Sequence, residues 1–440
     1  MKNHKESNGY LFSKGYTNYV FTLLFLLYLF DYLDRMIISS LFPFIKVDWN
    51  LTDTQMGSLM SAVYWSIVIL TIPASILVDR WSRRKMIGSM AVLWSFATAA
   101  AAFTKTFPQL FLTRTFIGVG EAGYAPGGTA MISGLYPKEK RSWMMGIWNA
   151  SIPLGSAMGV ALGGIIAAKW GWRSAFGVVA LPGLIVALLF YFIKDYKTVG
   201  LTKHSEIGTP NAKSQDNTAE QRVKMSKLDI VKEFTRKPSL MLTYFSMAGI
   251  VFVTTSLLSW LPSYFSRIDN IPLSSAGTKA ALVMFLAVIG APLGGYIADK
   301  WKRKRQNARI LFPAITTMLA AIIAFFAFVV FNGKIQYITL LLLGAVVTMF
   351  IPAAGAVTQD LVHPGLRATS YAFAVIIQNL LGASAGPIVI GIISDKFDLA
   401  TAMSILPIFL VISSILFFIG SYYYKKDIVK VEEIDLEVAE

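Results

Sequence analysis

Asp79-Arg80-Trp81-Ser82-Arg83-Arg84-Lys85 and, 220 residues further on, Asp299-Lys300-Trp301-Lys302-Arg303-Lys304 are the two stretches on which the fold turns. Each is an acid followed by a run of bases that closes a long apolar segment. Only 15% of the 440 residues are charged and 55% are hydrophobic, whereas a soluble chain carries roughly 25% charged residues. Charges gather in short breaks, and the stretches between them are long enough to cross a bilayer, which takes roughly 20 apolar residues. Working outward from the two basic loops gives twelve spans: 19–43, 56–78, 86–104, 108–135, 143–167 and 174–193, then 239–266, 276–298, 308–331, 336–360, 368–393 and 399–423.

The basic loops close spans 2 and 8. Span 5 carries Gly155-x-x-x-Gly159 and span 11 Gly382-x-x-x-Gly386, 227 residues apart. Matched features in two sets of six spans predict an internal duplication, an arrangement that builds two rocking bundles around a central site. The expected fold is an all-α integral membrane protein with twelve transmembrane helices in two pseudo-symmetric six-helix bundles. Residues 1–193 form the first bundle, 194–237 a polar cytoplasmic linker with a surface helix near Lys224 to Phe234, 238–424 the second bundle, and 425–440 a cytoplasmic tail. With the N-terminus inside, 30 of the 40 Lys/Arg fall on the cytoplasmic side, 7 outside, and Arg35, Arg114 and Lys279 within spans. This positive-inside bias accounts for the net charge of +15 without nucleic acid.

There is no cysteine, and His4, His204 and His363 all lie outside the apolar runs. Disulfides, thiol chemistry and a histidine metal cluster are thereby excluded. No nucleophile–base pair, nucleotide loop or metal-ligand spacing is visible, so neither an enzyme nor a cofactor is expected.

The loop after span 2 resembles that of the major facilitator superfamily, which reads Gly-x-x-x-Asp-Arg/Lys-x-Gly-Arg-Arg/Lys. The copy from Gly295 to Lys304 keeps the glycine, Asp299, Lys300 and Arg303; the first copy keeps Asp79, Arg80, Arg83 and Arg84 but has Ser75 and Ser82 where glycine is usual. Asp34-Arg35, Gly118-Val119-Gly120-Glu121-Ala122-Gly123, Ile152-Pro153-Leu154-Gly155-Ser156, Trp260-Leu261-Pro262 and the run from Asn379 to Pro387 resemble bacterial spinster-like transporters and the neighbouring anion:cation symporters. The spinster-like match is the closer, and Thr71-Ile72-Pro73-Ala74-Ser75 departs from the Gln-Ile-Pro-Gly-Gly usual in sugar-acid carriers. In span 5, Val160 stands where drug antiporters have proline, which favours symport or uniport. The resemblance implies a transporter in the bacterial inner (plasma) membrane with both termini cytoplasmic, acting as a monomer on a small organic anion or an amphipathic lipid.

Mid-span charges are costly and tend to be functional. Here they are Asp31, Asp34 and Arg35 in span 1 and Arg114 and Glu121 in span 4. Asp34 and Glu121 are expected to carry the coupling protons, because burial favours a protonated carboxyl and an approaching guanidinium favours the ionised one. Arg35 is expected to grip the anion bidentately. Related proteins often have asparagine where Asp31 stands; its i,i+4 relation to Arg35 would neutralise that receptor and leave Arg114 as the rival. Tyr32, Asn149, Thr255, Trp260, Tyr264, Gln378 and Asn379 are expected to line the cavity with aromatic and neutral polar contacts. Asp79, Arg80 and Arg83, with Asp299, Lys300 and Arg303, are expected to act as gating latches that change partners between states. The leading expectation is a proton-coupled organic-anion transporter driven by the proton gradient. The alternatives are a lysophospholipid carrier, a drug/proton antiporter, and a nutrient sensor that does not transport and signals through the linker.

Overall fold

The computed structural model describes residues 10–80, 82–194, 233–362 and 366–429. Most of the linker, with most of its expected surface helix, His363 and the end of the tail lie outside these residues, as do Trp81 and the Asp79 and Arg80 side chains.

The described residues form the twelve expected spans. Spans 1, 2 and 3 are the continuous helices Lys14–Trp49, Asp53–Arg80 and Arg83–Ala101. Span 4 is Phe107–Glu121 continued by Tyr124–Leu135, and span 5 is Lys138–Asn149 continued by Ser151–Trp170. Spans 6 and 7 are Trp172–Tyr191 and Pro238–Arg267. Span 8 joins Leu273–Phe285 to Ala287–Lys302, and span 9 runs through Ala308–Phe325 into a π turn, Phe326–Val330. Span 10 joins Gly333–Val346 to Ile351–Asp360; span 11 runs Arg367–Ile377, a π turn Gln378–Ala383, and Ala385–Lys396; span 12 joins Leu399–Ser404 to Leu406–Ile428. Among the described residues nine helices, those of spans 2 and 5 to 12, are long and apolar enough to cross a membrane by length and composition.

The glycine pairs explain the duplication physically. Span 5 lies on span 1 with Gly155 over Leu29 and Gly159 over Leu33; a Cβ at Gly159 would stand 2.5 Å from the Leu33 carbonyl oxygen. Span 11 lies on span 7 in the same way, Gly382 over Ala248 and Gly386 over Phe252, where a Cβ would stand 2.5 Å from the Phe252 carbonyl oxygen. No hydrophobic drive separates helix–helix from helix–lipid contact in a bilayer, so this close backbone approach supplies the van der Waals attraction. The second six spans therefore repeat the packing of the first. Their start is also pinned to their end, because the Asp427 carboxylate accepts the Ser239 backbone N–H at 3.0 Å and its hydroxyl at 2.6 Å.

Candidate functional site

Span 1 carries the centre of the site. Arg35 and Asp31, one turn apart, share a face that looks towards spans 2 and 4. Arg35 Nη2 lies 3.1 Å from Asp31 Oδ2 and 2.7 Å from Glu121 Oε2, all three side chains being at most 8% exposed. The contact to Asp31 is an aligned hydrogen bond, whereas Glu121 is an ion pair off the N–H direction. The Asp31 and Glu121 carboxyls also lie within hydrogen-bonding reach of each other. The guanidinium carbon sits 4.5 Å from the Tyr32 ring centroid and 5.5 Å from that of Tyr64, so two aromatic faces add cation–π attraction. Glu121 is placed by the break in span 4, since the helix stops there and restarts at Tyr124. A helix broken beside a mid-membrane charge is a recurring way to build a transport site.

Asp34, 100° further round the same helix, points elsewhere: its carboxylate accepts from the Thr98 hydroxyl of span 3 at 3.3 Å. Arg114 is fully buried and donates to three backbone carbonyls, those of Arg35 at 2.9 Å, Asp34 at 3.1 Å and Leu59 at 3.4 Å. It ties spans 1, 2 and 4 together rather than presenting a free guanidinium. Gly118, Gly120 and Gly123 around Glu121 receive helix neighbours: Val63 and Ser66 of span 2 for the first, Met90 and Trp94 of span 3 for the second, and Met90 with Ala74 for the third.

The strongest contacts between the two six-span halves gather at the end of the molecule remote from Lys14 and Ile428. Asp53, opening span 2, is the hub. Its carboxylate takes both Nη atoms of Arg267 of span 7 at 2.7 and 2.9 Å, the Ser394 hydroxyl of span 11 at 2.5 Å and Lys46 of span 1 at 2.6 Å. Asp395 answers by capping span 2, accepting the Asp53 and Thr54 N–H groups at 2.7 and 2.8 Å. Deeper in, the Ser61 hydroxyl donates to the Ser384 carbonyl at 2.5 Å, and Gly57 meets Pro387. Spans 5 and 8 are zipped at the same end, where a Cβ on Gly277 would stand 2.9 Å from the Val160 carbonyl oxygen and one on Gly164 3.2 Å from that of Leu273. One end of the path between the halves is thus sealed.

The residues expected to line the cavity fall into separate places. Arg35, Tyr32 and Glu121 come together. Trp260 is fully buried in the seal, its Nε1–H donating to the Pro387 carbonyl at 3.0 Å and its ring 5.2 Å from that of Phe42. Tyr264, also buried, accepts from Gln336 at 2.8 Å. Thr255 donates to its own helix at the Val251 carbonyl, and Asn149 to Met145. Gln378 and Asn379 open the π turn of span 11 and are half-buried. At the other end of the molecule Asp299 pairs with Arg309 at 3.2 Å, and Arg309 pairs with Asp360 at 2.6 Å, which also faces Lys302 at 3.5 Å. That network joins spans 8, 9 and 10 of one half and leaves Arg303 out. Sequence reasoning missed Tyr64 and the Asp53 hub. The hub's partners in the other half are 214 and 341 residues away, so no local signal marks it as a link between halves. Among the described residues no group of His, Cys, Asp and Glu is arranged to hold a metal ion.

A family model described as Major Facilitator Superfamily matches residues 24–387. The mouse (Mus musculus) protein spinster homolog 1 is 26% identical over 407 residues, covering 87% of this chain and 74% of the mouse protein. A hexuronate transporter of Bacillus subtilis (strain 168) is 25% identical over 384 residues, covering 86% and 88% respectively. Among solved structures, a bacterial homolog of the human lysosomal transporter spinster, inward-facing and unoccupied, superposes with a TM-score of 0.80 at 22% identity, covering 94% of this chain and 99% of that one. That likeness carries the fold.

Proposed function

This chain belongs to the major facilitator superfamily of membrane transporters, and on that premise we propose that it is a proton-coupled symporter of a small organic anion working by alternating access. The observation that carries the reading is the buried Arg35–Glu121 ion pair at 2.7 Å, mid-span, beside a break in span 4. A guanidinium in that setting is the group best matched to a carboxylate or phosphate, and a carboxylate beside it can trade its ion pair for a proton. Glu121 and Asp34 carry the coupling protons, and Arg35 with Tyr32 receives the anion. Asn149, Thr255, Gln378 and Asn379 supply neutral polar contacts, and Trp260 and Tyr264 close the cavity beneath the seal. Arg114 holds the backbone of span 1 in place for Arg35.

The termini face the cytoplasm of a bacterial inner membrane, as the basic bias directs, so the sealed end is outside and the state is inward-facing. The rocking units are residues 1–193 and 238–424, joined by the cytoplasmic linker 194–237 and followed by the tail 425–440, in a monomer. Asp79, Arg80 and Arg83 with Asp299, Lys300 and Arg303 bias the opposite, cytoplasmic closure. The likeness to spinster homologues supports a second reading, carriage of an amphipathic anion such as a lysophospholipid by the same guanidinium.

Thermal stabilisation of the purified protein by hexuronates, monocarboxylates, lysophospholipids and cationic drugs, followed by proteoliposome uptake of whichever binds, tests the reading. Stabilisation by an anion and its accumulation under an inward proton gradient are expected. Stabilisation by cationic drugs alone, or binding without uptake, would overturn it in favour of an antiporter or a sensor.

A further inference from the structure

Arg35 is one cation between two carboxyls. Asp31 and Glu121 both approach its Nη2, at 3.1 and 2.7 Å, and lie within reach of each other. Both keep a carboxyl oxygen, Asp31 Oδ1 and Glu121 Oε1, buried without a hydrogen-bond partner. The Arg35 Nε–H is likewise buried and unpartnered. The receptor therefore has a donor to spare but no charge to spare.

Among the described residues, no second cation contacts this trio of ionisable groups. Span 1 adds Tyr28, Tyr32 and, on its other face, Asp34; span 2 adds Tyr64; span 4 adds Tyr124 and Arg114. Arg114 is committed to three carbonyls and forms no ion pair with the trio, acting on Glu121 and Asp34 only from a distance. Nothing charged enters from span 3, where Thr98 is the polar neighbour. An arriving monoanion would bring a third negative charge to one guanidinium in a low-dielectric site, which is strongly unfavourable. The trio becomes neutral with an anion bound only when two protons are also bound, one for each carboxyl.

We infer that Asp31 is a further proton-binding carboxyl, beside Glu121 on the same guanidinium, that occupies the Arg35 receptor in the empty transporter and is released from it when substrate binds. This deepens the symport reading and rests on it. Asp31 acts as an internal stand-in for the substrate's carboxylate: proton uptake on Asp31 ends its ion pair with Arg35, and the anion takes its place on the spare Nε–H and the vacated Nη2. The same residue then adds one proton per monoanion to the coupling ratio and lowers the affinity, because the anion must compete with a tethered carboxylate at high effective concentration.

The test is Asp31→Asn in purified full-length protein, with glucuronate or lysophosphatidylglycerol as probe, whichever stabilises the wild type. At pH 8 the variant is expected to bind that probe at least tenfold more tightly. The slope of log Kd against pH should fall by about one proton, and the proton-to-anion ratio measured from reversal potentials in proteoliposomes should fall by about one. Asp31→Glu, which restores a carboxyl, should restore the slope. Asp31→Ser gives the same reading where the asparagine variant does not express. A folded, counterflow-competent Asp31→Asn or Asp31→Ser with wild-type slope and affinity would overturn the role of Asp31 while leaving symport intact. Absence of any anion binding by the wild type would instead overturn the symport reading and this inference with it.

Discussion

Replacing Asp53 by asparagine should unlatch the sealed end. Asparagine keeps the shape of the side chain and one acceptor oxygen but loses the charge that faces Arg267 and Lys46. The Lys46 contact lies within the first half and persists whichever way the halves rock, so it does not bias the equilibrium. The Arg267 pair and the Ser394 hydrogen bond cross between halves and exist only while this end is closed. A hydrogen bond to a charged group contributes about 1.5–3 kcal/mol, and a neutral replacement keeps roughly half. Arg267 is 26% exposed, which weakens its share. The net loss across the interface is then about 2 kcal/mol, a fall of roughly 30-fold in the sealed-to-open ratio. Because the chain has no cysteine, spin labels at the exposed Thr52 and Lys396 report the ratio by double electron–electron resonance. Asp53→Asn should enlarge the longer-distance population by that factor, Arg267→Gln should do nearly the same, and Lys46→Gln should do less. A ratio within threefold of wild type for both Asp53→Asn and Arg267→Gln would refute the latch.

Gly386→Val should push spans 7 and 11 apart at the Phe252 carbonyl and cost several kcal/mol of packing; a thermal midpoint equal to wild type would contradict that packing. Asp79→Asn and Asp299→Asn should slow or speed cycling while changing substrate affinity less than threefold, since they bias states from outside the cavity; stopped-flow rates beside equilibrium binding would separate the two effects. A cysteine placed at Ser214 should stay unlabelled by an impermeant maleimide on intact cells, and prompt labelling would reverse the topology.

The twelve spans were legible because hydropathy and the positive-inside bias are one-dimensional signals. The pseudo-symmetry was legible because Gly155 and Gly159 recur as Gly382 and Gly386 at matching places in the two halves. Breaks within spans were harder to see. Span 4 breaks after Glu121 and span 5 after Asn149, each one turn before a proline, Pro126 and Pro153, whose missing N–H cannot bond the Ala122 and Asn149 carbonyls; yet Pro43, Pro73 and Pro262 sit inside unbroken helices, so proline alone does not place a break. The site was partly legible: i,i+4 spacing marks Asp31 with Arg35, whereas which neighbour Asp34 faces depends on how span 1 is rotated against span 3. Trp260 and Tyr264 read as cavity residues because aromatics suit both a cavity and a seal, and only their partners, Pro387 and, across the halves, Phe42 for Trp260 and Gln336 within the second half for Tyr264, separate the two roles.

The most direct test of proton coupling at the Arg35 centre is gradient-driven uptake measured beside counterflow in the same proteoliposomes, for wild type and Glu121→Gln. Glutamine preserves size and hydrogen bonding but cannot exchange a proton. Accumulation under an inward proton gradient should vanish, while counterflow, which needs no net proton movement, should persist at a measurable fraction of the wild-type rate. A stable Glu121→Gln protein that still accumulates substrate to the wild-type level under the gradient would contradict the coupling role of Glu121.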